Sequence, residues 1–355
     1  MHVLYYITGH GFGHGVRSCV ICNEFSESVT LTIRSSLPAQ FFSEELKRPF
    51  RYTEAGFDCG CVQKDGVTVD IEETLIKYAA FAERNRKIAG NEVDFIRQKR
   101  VDVIVSDITP FAFEMAHRAN VPSFGVGNFS WADIYKPYTL DYPWFRPYLE
   151  QMCAQYHYAD YLLCLQPSNE MSCFSRRHPV SLVARTGRER QKHIRAHFGI
   201  PPDKKLAMIY AGNYGMDSID WKGLEQFEQW AFLGVYPFDP APMNYHLVSK
   251  QIFPFQDLSA SVDLVIGKIG YGLFGECLVH GVPLLYVPRT DFAEHSVLEN
   301  AIQLRGAAYR LCRERFYSLD WHRELQDVVG RKRPQRYDAH GGKDCARFIE
   351  KHANV

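Results

Sequence analysis

Four glycines alternate with other residues near the start of the chain, in Gly9-His10-Gly11-Phe12-Gly13-His14-Gly15, followed by Val16 and Arg17. An unperturbed imidazole titrates near neutral pH, so His14 is suited to take a proton from an attacking hydroxyl as a general base. A base of this kind needs a carboxylate to fix its tautomer and to stabilise the imidazolium. Asp107 ends the apolar run Val101-Asp102-Val103-Ile104-Val105-Ser106 and would emerge on the same rim as the glycine loop. It could equally cap the helix pattern Pro110 to Ala119, as could Ser106. A second glycine run, Gly267-Lys268-Ile269-Gly270-Tyr271-Gly272, enters a helix pattern that Gly281-Val282-Pro283 stops. Such a turn offers a helix N-terminus to a pyrophosphate, with Lys268 as an added cation. About one turn on, Glu276 can accept hydrogen bonds from a ribose diol, against the default of a solvated helix carboxylate. The segment 289–295 is polar directly after a buried strand, so Asp291, Glu294 and His295 stand where hydroxyl groups would be read.

These residues need a scaffold that brings strand ends together. Short apolar runs recur with helical patterns between them: Val3 to Ile7, Val29 to Ile33, Val101 to Val105, Phe124 to Val126 and Tyr161 to Leu165, then Leu206 to Tyr210, Tyr245 to Val248, Leu264 to Ile266 and Leu284 to Val287. Strand alternating with helix means parallel sheets covered on both faces. The rhythm breaks between Pro167 and Pro202, in a polar, Arg-rich stretch, which predicts a boundary near Leu182 and two doubly wound domains, 1–182 and 183–355. Ligands of such sheets sit beyond the carboxyl ends of the strands, here facing each other across a cleft. The last helix pattern, Asp344 to His352, follows a basic run and has the option of packing back across that cleft.

The first domain's side of such a cleft carries Gly11, Gly13 and Arg17 on the loop. Nine aromatics lie between Phe124 and Tyr148, and Pro137, Pro143 and Pro147 predict an irregular loop there. Its aromatics either stack on a ligand or pack the loop. Asn128, Trp131 and Asp133 are its polar and aromatic candidates. From Arg176 to Arg195, seven Lys or Arg face one Glu, a solvated face or an attraction for an acidic group.

Composition excludes several classes. With 355 residues, 46% hydrophobic and 23% charged, the chain can build large cores. Its 41 basic and 41 acidic residues cancel, so no overall field favours nucleic acid. No apolar run reaches membrane-spanning length, and no signal segment opens the chain, giving the expectation of a cytoplasmic protein with peripheral membrane contact left open. Ten cysteines are too few for a disulfide scaffold. Cys19 and Cys22, with Cys59 and Cys61, could supply four zinc ligands, but the pairs are far apart and the first lies in a helix pattern. The chain has neither a complete dinucleotide fingerprint nor a P-loop.

The glycine loop with His14, the strand ending in Asp107 and the run Gly267 to Pro283 together resemble the GT-B glycosyltransferases, two-Rossmann-domain enzymes that use nucleotide sugars. The C-terminal run is similar in layout to the peptidoglycan N-acetylglucosaminyltransferase family. A closer resemblance, through Tyr5 to His14, Asn128-Phe129-Ser130-Trp131 with Ile134-Tyr135, and Gly267 to Gly272, is to the glycosyltransferase-like N-terminal portion of arabinokinase-type proteins. The resemblance implies an α/β GT-B fold and transfer of a sugar from a nucleoside diphosphate sugar, a UDP-sugar favoured, to an acceptor hydroxyl with inversion. The donor is a co-substrate, no further cofactor is implied, and no Asp-x-Asp suggests a metal. It supports His14 as base and Glu276 as ribose ligand, and places Gly212, Asn213 and Phe255 with Lys268, Gly270, Tyr271 and Gly272 on the donor side. The paired glutamines that the peptidoglycan enzyme carries after its last donor strand are missing. A nucleotide-sugar epimerase or hydrolase, or a non-catalytic sensor, would fit the same scaffold.

Overall fold

The computed structural model describes residues 1–65, 67–210, 219–305 and 308–353. Seven strands form the first sheet: β1 (His2–Ile7), β2 (Thr30–Ser35), β3 (Arg51–Glu54), β4 (Val103–Asp107), β5 (Ser123–Gly127), β6 (Tyr161–Leu165) and β7 (Arg177–Val180). Six form the second: β8 (Lys205–Tyr210), β9 (Trp230–Gly234), β10 (Tyr245–Leu247), β11 (Leu264–Lys268), β12 (Leu284–Val287) and β13 (Ala308–Arg310). The orders are β3-β2-β1-β4-β5-β6-β7 and β10-β9-β8-β11-β12-β13, and the paired strands run parallel throughout. Both sheets therefore reverse their winding once, between β1 and β4 and between β8 and β11, and open a crevice there at the carboxyl ends.

Side-chain chemistry explains the strands. Every residue of β1 and of β4 is buried, as a strand covered on both faces requires, and apart from His2, Ser106 and Asp107 they are apolar or aromatic. The edge strand β3 and most of β7 are more exposed and polar, which is why neither carries an apolar run legible in the sequence. β7 falls inside the stretch read as linker, so the Arg-rich segment contributes an edge strand before the chain crosses at Leu182 to Ala184. Those three residues are buried with Phe274, Cys277 and Val279 in a core continuous through both sheets.

One expectation is corrected. Pro137, Pro143 and Pro147 do not make an irregular loop. Each stands in the first turn of a helical element, Pro137–Leu140, Pro143–Phe145 and Arg146–His157, where its missing N–H is not needed. Tyr135, Tyr138, Phe145 and Tyr156 are accordingly core residues.

The final helix, Gly341–His352, lies against the first helix, Phe12–Cys22, and against β7. Gly342 allows the approach, since a Cβ there would come within 2.9 Å of Val20. Cys345, Ala346 and Ile349 are fully buried in the shared core. Ile349→Ala should therefore destabilise the protein by about 2–5 kcal/mol, read as a lower urea midpoint, whereas truncating exposed Lys351 should leave the midpoint within about 0.5 kcal/mol.

Candidate active site between the domains

Register sets the first half of the site. Ile7 pairs with Asp107, so the loop after β1 and the carboxylate ending β4 leave the sheet side by side. Gly9 lets the chain pass close to Ser36, whose hydroxyl lies 2.0 Å from where a Cβ would stand and would have to rotate away. Phe12–Cys22 then begins, carrying His14, Arg17 and Ser18 on its buried face.

Asp107 has no accessible surface and does not cap the following helix, whose N-cap is Thr109. Instead it receives four groups. His14 Nδ1 lies 2.7 Å from Oδ1, Arg17 donates from Nε to Oδ2 and from Nη2 to Oδ1, each at 2.7 Å, and Ser18 Oγ donates to Oδ2 at 3.0 Å. Burial alone would raise this carboxyl, but Arg17 and His14 more than offset it and hold the group well below the ordinary carboxylate range. Arg17 Nη2, which can only donate, also lies 3.0 Å from Nδ1. The shorter contact is to the carboxylate, which only accepts, and it assigns the imidazole proton to Nδ1. Nε2, which makes no hydrogen bond to any described residue, is the nitrogen left with a lone pair.

The network continues into the second domain. Arg17 Nη1 donates to Asn128 Oδ1 at 2.5 Å, and Asn128 Nδ2 donates to Glu294 Oε1 at 2.8 Å. Beside it, the His10 ring accepts from the Cys61 amide at 3.0 Å and stacks on Phe292, with centroids 6.1 Å apart. Burial, His14, Arg289 and Lys268 push His10 well below its ordinary value, so its ring is neutral. Trp131 is fully buried against both histidines, with centroids at 5.0 and 5.9 Å. Asp133 is spent locally, in a capping box with Ser130.

The second glycine turn supplies the opposite wall. Gly267 fits only as glycine, because a Cβ would lie 1.9 Å from the Tyr210 carbonyl oxygen. Gly270 is the N-cap of Tyr271–His280 with no side-chain cap, leaving the first amides of that helix without a capping side chain. Gly13 and Gly272 line opposite walls of a cavity of about 770 Å³, and nothing fills the space a Cβ would take at either. Glycine there costs helix stability without serving packing, which fits close approach of a ligand to the backbone.

Phe12, Phe41 and Glu45 of the first domain, and Arg185, Phe255 and Glu276 of the second, also line this cavity. Arg185, absent from the sequence-derived candidates, bonds Glu276 Oε1 at 2.7 Å and Glu45 at 2.8 Å, tying the domains together. Glu276 Oε2 accepts from Ser259 at 3.0 Å. Burial raises the Glu276 carboxyl despite the opposing Arg185. Burial, with Arg289 adding to it, lowers Lys268 to about 8, while Glu294 and Asp65 oppose the shift.

Of the remaining candidates, Tyr271 donates to the Gln166 carbonyl at 3.2 Å and accepts from the Val183 amide at 3.3 Å, so its hydroxyl joins the domains. Asp291 accepts from the Val69 amide, and its own carbonyl accepts from Tyr138 Oη at 2.6 Å. His295 is buried beside Glu299, 3.6 Å away. Gly11 adopts φ 142° at the loop exit. Gly212 and Asn213 lie outside the described residues. Asp58, another residue the sequence did not single out, is buried between the hydroxyls of Thr8 and Thr109, at 2.5 and 2.6 Å.

The cysteines are not gathered for metal. No cluster of three or more His, Cys, Asp or Glu suited to a metal occurs among the described residues. Cys19 and Cys22 are buried thiols raised by burial, and Cys153 is disulfide-bonded to Cys173. No described helix is long and apolar enough to cross a membrane.

Two parallel sheets of this order, each with its crevice facing the other, decide the architecture. The fold is GT-B. A family model described as Glycosyl transferase family 1 matches residues 1–142. The chain is 29% identical over 357 residues to L-arabinokinase of Arabidopsis thaliana, with 98% of this chain aligned. It spans about a third of that relative's length, 34%. Among solved structures, CalG4, the calicheamicin glycosyltransferase, superposes with a TM-score of 0.65 at 15% identity, covering 99% of this chain and 93% of that one. Phytolacca americana UGT2, solved with UDP-2-fluoroglucose and pterostilbene, gives 0.59 at 14% identity, with 99% and 94% covered.

The Asp107 network carries a stability consequence. A carboxyl whose folded value is depressed stabilises the protein above the ordinary carboxylate range and loses that contribution as pH falls through the folded value. Asp107→Asn should lower stability at neutral pH by about 3–5 kcal/mol, because Arg17 is left buried without its charge partner. It should also flatten the loss of stability between about pH 5 and about pH 1, measured by denaturant titration at each pH.

Proposed function

We propose that this protein is an inverting, metal-independent glycosyltransferase that moves a sugar from a UDP-sugar to an acceptor hydroxyl. One observation carries the reading: the His14–Asp107 pair, with its free Nε2, is held on helix Phe12–Cys22, which contacts helix Tyr271–His280, whose N-terminus at Gly270 has no capping side chain, and Gly13 and Gly272 of the two helices line one cavity. A base and an anion-binding helix end on opposite walls suit in-line displacement at an anomeric carbon. The acceptor oxygen bonds to that carbon while the bond to the diphosphate oxygen breaks, its electron pair leaving with the diphosphate. His14 Nε2 takes the acceptor's proton.

The donor lies against the second domain. The amides after Gly270, with Lys268, neutralise the diphosphate, and backbone and cation suffice for this in a site screened from water. Glu276 retains lone pairs beyond those taken by Arg185 and Ser259, so it can still accept from ribose hydroxyls. Phe255 provides an apolar face in the same cavity. Asn128, bonded to Glu294 and Arg17, makes closure of the domains and alignment of the base one event. The UDP assignment draws on the fold's occurrence with UDP-2-fluoroglucose in a similar structure and is a proposal for this chain.

His14→Ala should lower kcat by about 10²–10⁴-fold with donor affinity unchanged. Unchanged turnover would remove the base. Product analysis with donor alone distinguishes transfer from epimerisation or hydrolysis, which need no acceptor. Lys268 binds diphosphate as the ammonium form, so UDP affinity should fall as pH rises past about 8 in the wild type. In Lys268→Met the affinity should be weaker and flat across that range.

A further inference from the structure

Arg289 follows β12 by two residues, and β12 pairs with β11 in the register Lys268 to Val287. It therefore stands just beyond the Lys268 end of the sheet. It is only 7% exposed, and its guanidinium lies over the Phe292 ring at 4.4 Å. Phe292 stacks on His10, and His10 meets Trp131, which adjoins His14. Arg289 is thus placed between the glycine turn that takes the diphosphate and the histidine that takes the proton. In a transfer reaction, that interval is occupied by the sugar being moved.

The charge at this position is not balanced by the protein. No ion pair to Arg289 occurs among the described residues, and its Nε is buried without a hydrogen-bond partner. Its Nη2 reaches the Gln63 amide oxygen at 3.2 Å once that amide is turned to face it. Of the nearby carboxylates, Glu294 is engaged by Asn128, Asp65 is paired with Arg313 at 2.5 Å, and Asp291 accepts from the Val69 amide and makes no ion pair to Arg289. Arg289 depresses Lys268, so these two cations repel. A buried guanidinium lacking a carboxylate is costly to fold around, and its planar fork matches a carboxylate in two parallel hydrogen bonds. Trp131 Nε1 and Asp291 Oδ1, buried on the same seam, also lack partners and offer a donor and an acceptor for hydroxyls.

We propose that the transferred sugar is a uronic acid and that Arg289 reads its carboxylate. The inference rests on the glycosyl-transfer reading above. The carboxylate is a spectator to the chemistry, since bond making, bond breaking and proton transfer all occur at the anomeric carbon and the acceptor.

The test is calorimetric titration of the full chain with UDP, UDP-glucose, UDP-glucuronate and UDP-galacturonate, using wild type, Arg289→Met and Arg289→Lys. At least one uronate should bind the wild type about tenfold or more tighter than UDP-glucose. Arg289→Met should abolish that preference while binding UDP as the wild type does, and Arg289→Lys should keep part of it. Unchanged UDP affinity also shows that the variant is folded. Equal binding of acidic and neutral sugars by the wild type overturns the inference and leaves the transferase reading standing. A preference that survives in Arg289→Met overturns it, as does an equal loss of UDP affinity, which would make Arg289 a diphosphate ligand. If UDP and all three sugars fail to bind, the inference falls together with the donor assignment beneath it.

Discussion

The buried carboxylate of Asp107 is the interaction on which the site depends. It has no access to water, so its charge persists only because Arg17, His14 and Ser18 solvate it in place of water. That requirement dictates the rest. Arg17 must be held rigidly enough to bond both carboxylate oxygens, and its remaining nitrogen then reaches Asn128 and, through it, Glu294 on the other domain. The same carboxylate fixes the His14 tautomer. A charge that would otherwise be expelled thus specifies the orientation of the His14 ring, the helix register carrying it and one contact between the domains.

A second charged group repeats the arrangement on the other side. Glu276 is buried, and Arg185 joins it to Glu45 of the first domain. The two carboxylates, one in each domain, are each compensated by an arginine whose network reaches the opposite domain, Arg185 directly through Glu45 and Arg17 by way of Asn128 and Glu294. Removing one partner of such a pair is more disruptive than replacing the pair by apolar groups. The cleft is accordingly bounded by groups that cannot be rearranged independently, and the open glycine positions Gly13 and Gly272 lie between them. The unbalanced guanidinium of Arg289 stands out against this background of paired charges.

Much of the fold was legible because buried parallel strands write continuous apolar runs. β1, β4, β6 and β11 announce themselves, whereas β3 and β7 are edge strands with polar or exposed side chains and leave no such mark. β9 is buried throughout, yet Trp230-Ala231-Phe232-Leu233-Gly234 is short and lies beside another aromatic run, so periodicity did not separate it. The prolines of 137–147 misled because the residue type that breaks a helix interior also starts one. Within the site, glycine spacing and the end of β4 brought His14 and Asp107 to notice. Arg185 and Asp58 escaped, and Arg289 showed only as the first residue of the polar segment 289–295, because their importance lies in which charge they meet after folding, and sequence distance carries no record of that. Arg185 was visible only as one cation in the basic stretch Arg176 to Arg195.

The central claim is that Asp107 holds His14 with its proton on Nδ1 and leaves Nε2 without a partner as the accepting nitrogen. Nitrogen-15 NMR of protein labelled at histidine, with His14 assigned by its loss in His14→Gln, reads the tautomer directly. At a pH where the ring is neutral, the account predicts a protonated Nδ1 and a bare Nε2. A neutral ring protonated on Nε2 would contradict it, since that nitrogen could then take no proton from an acceptor.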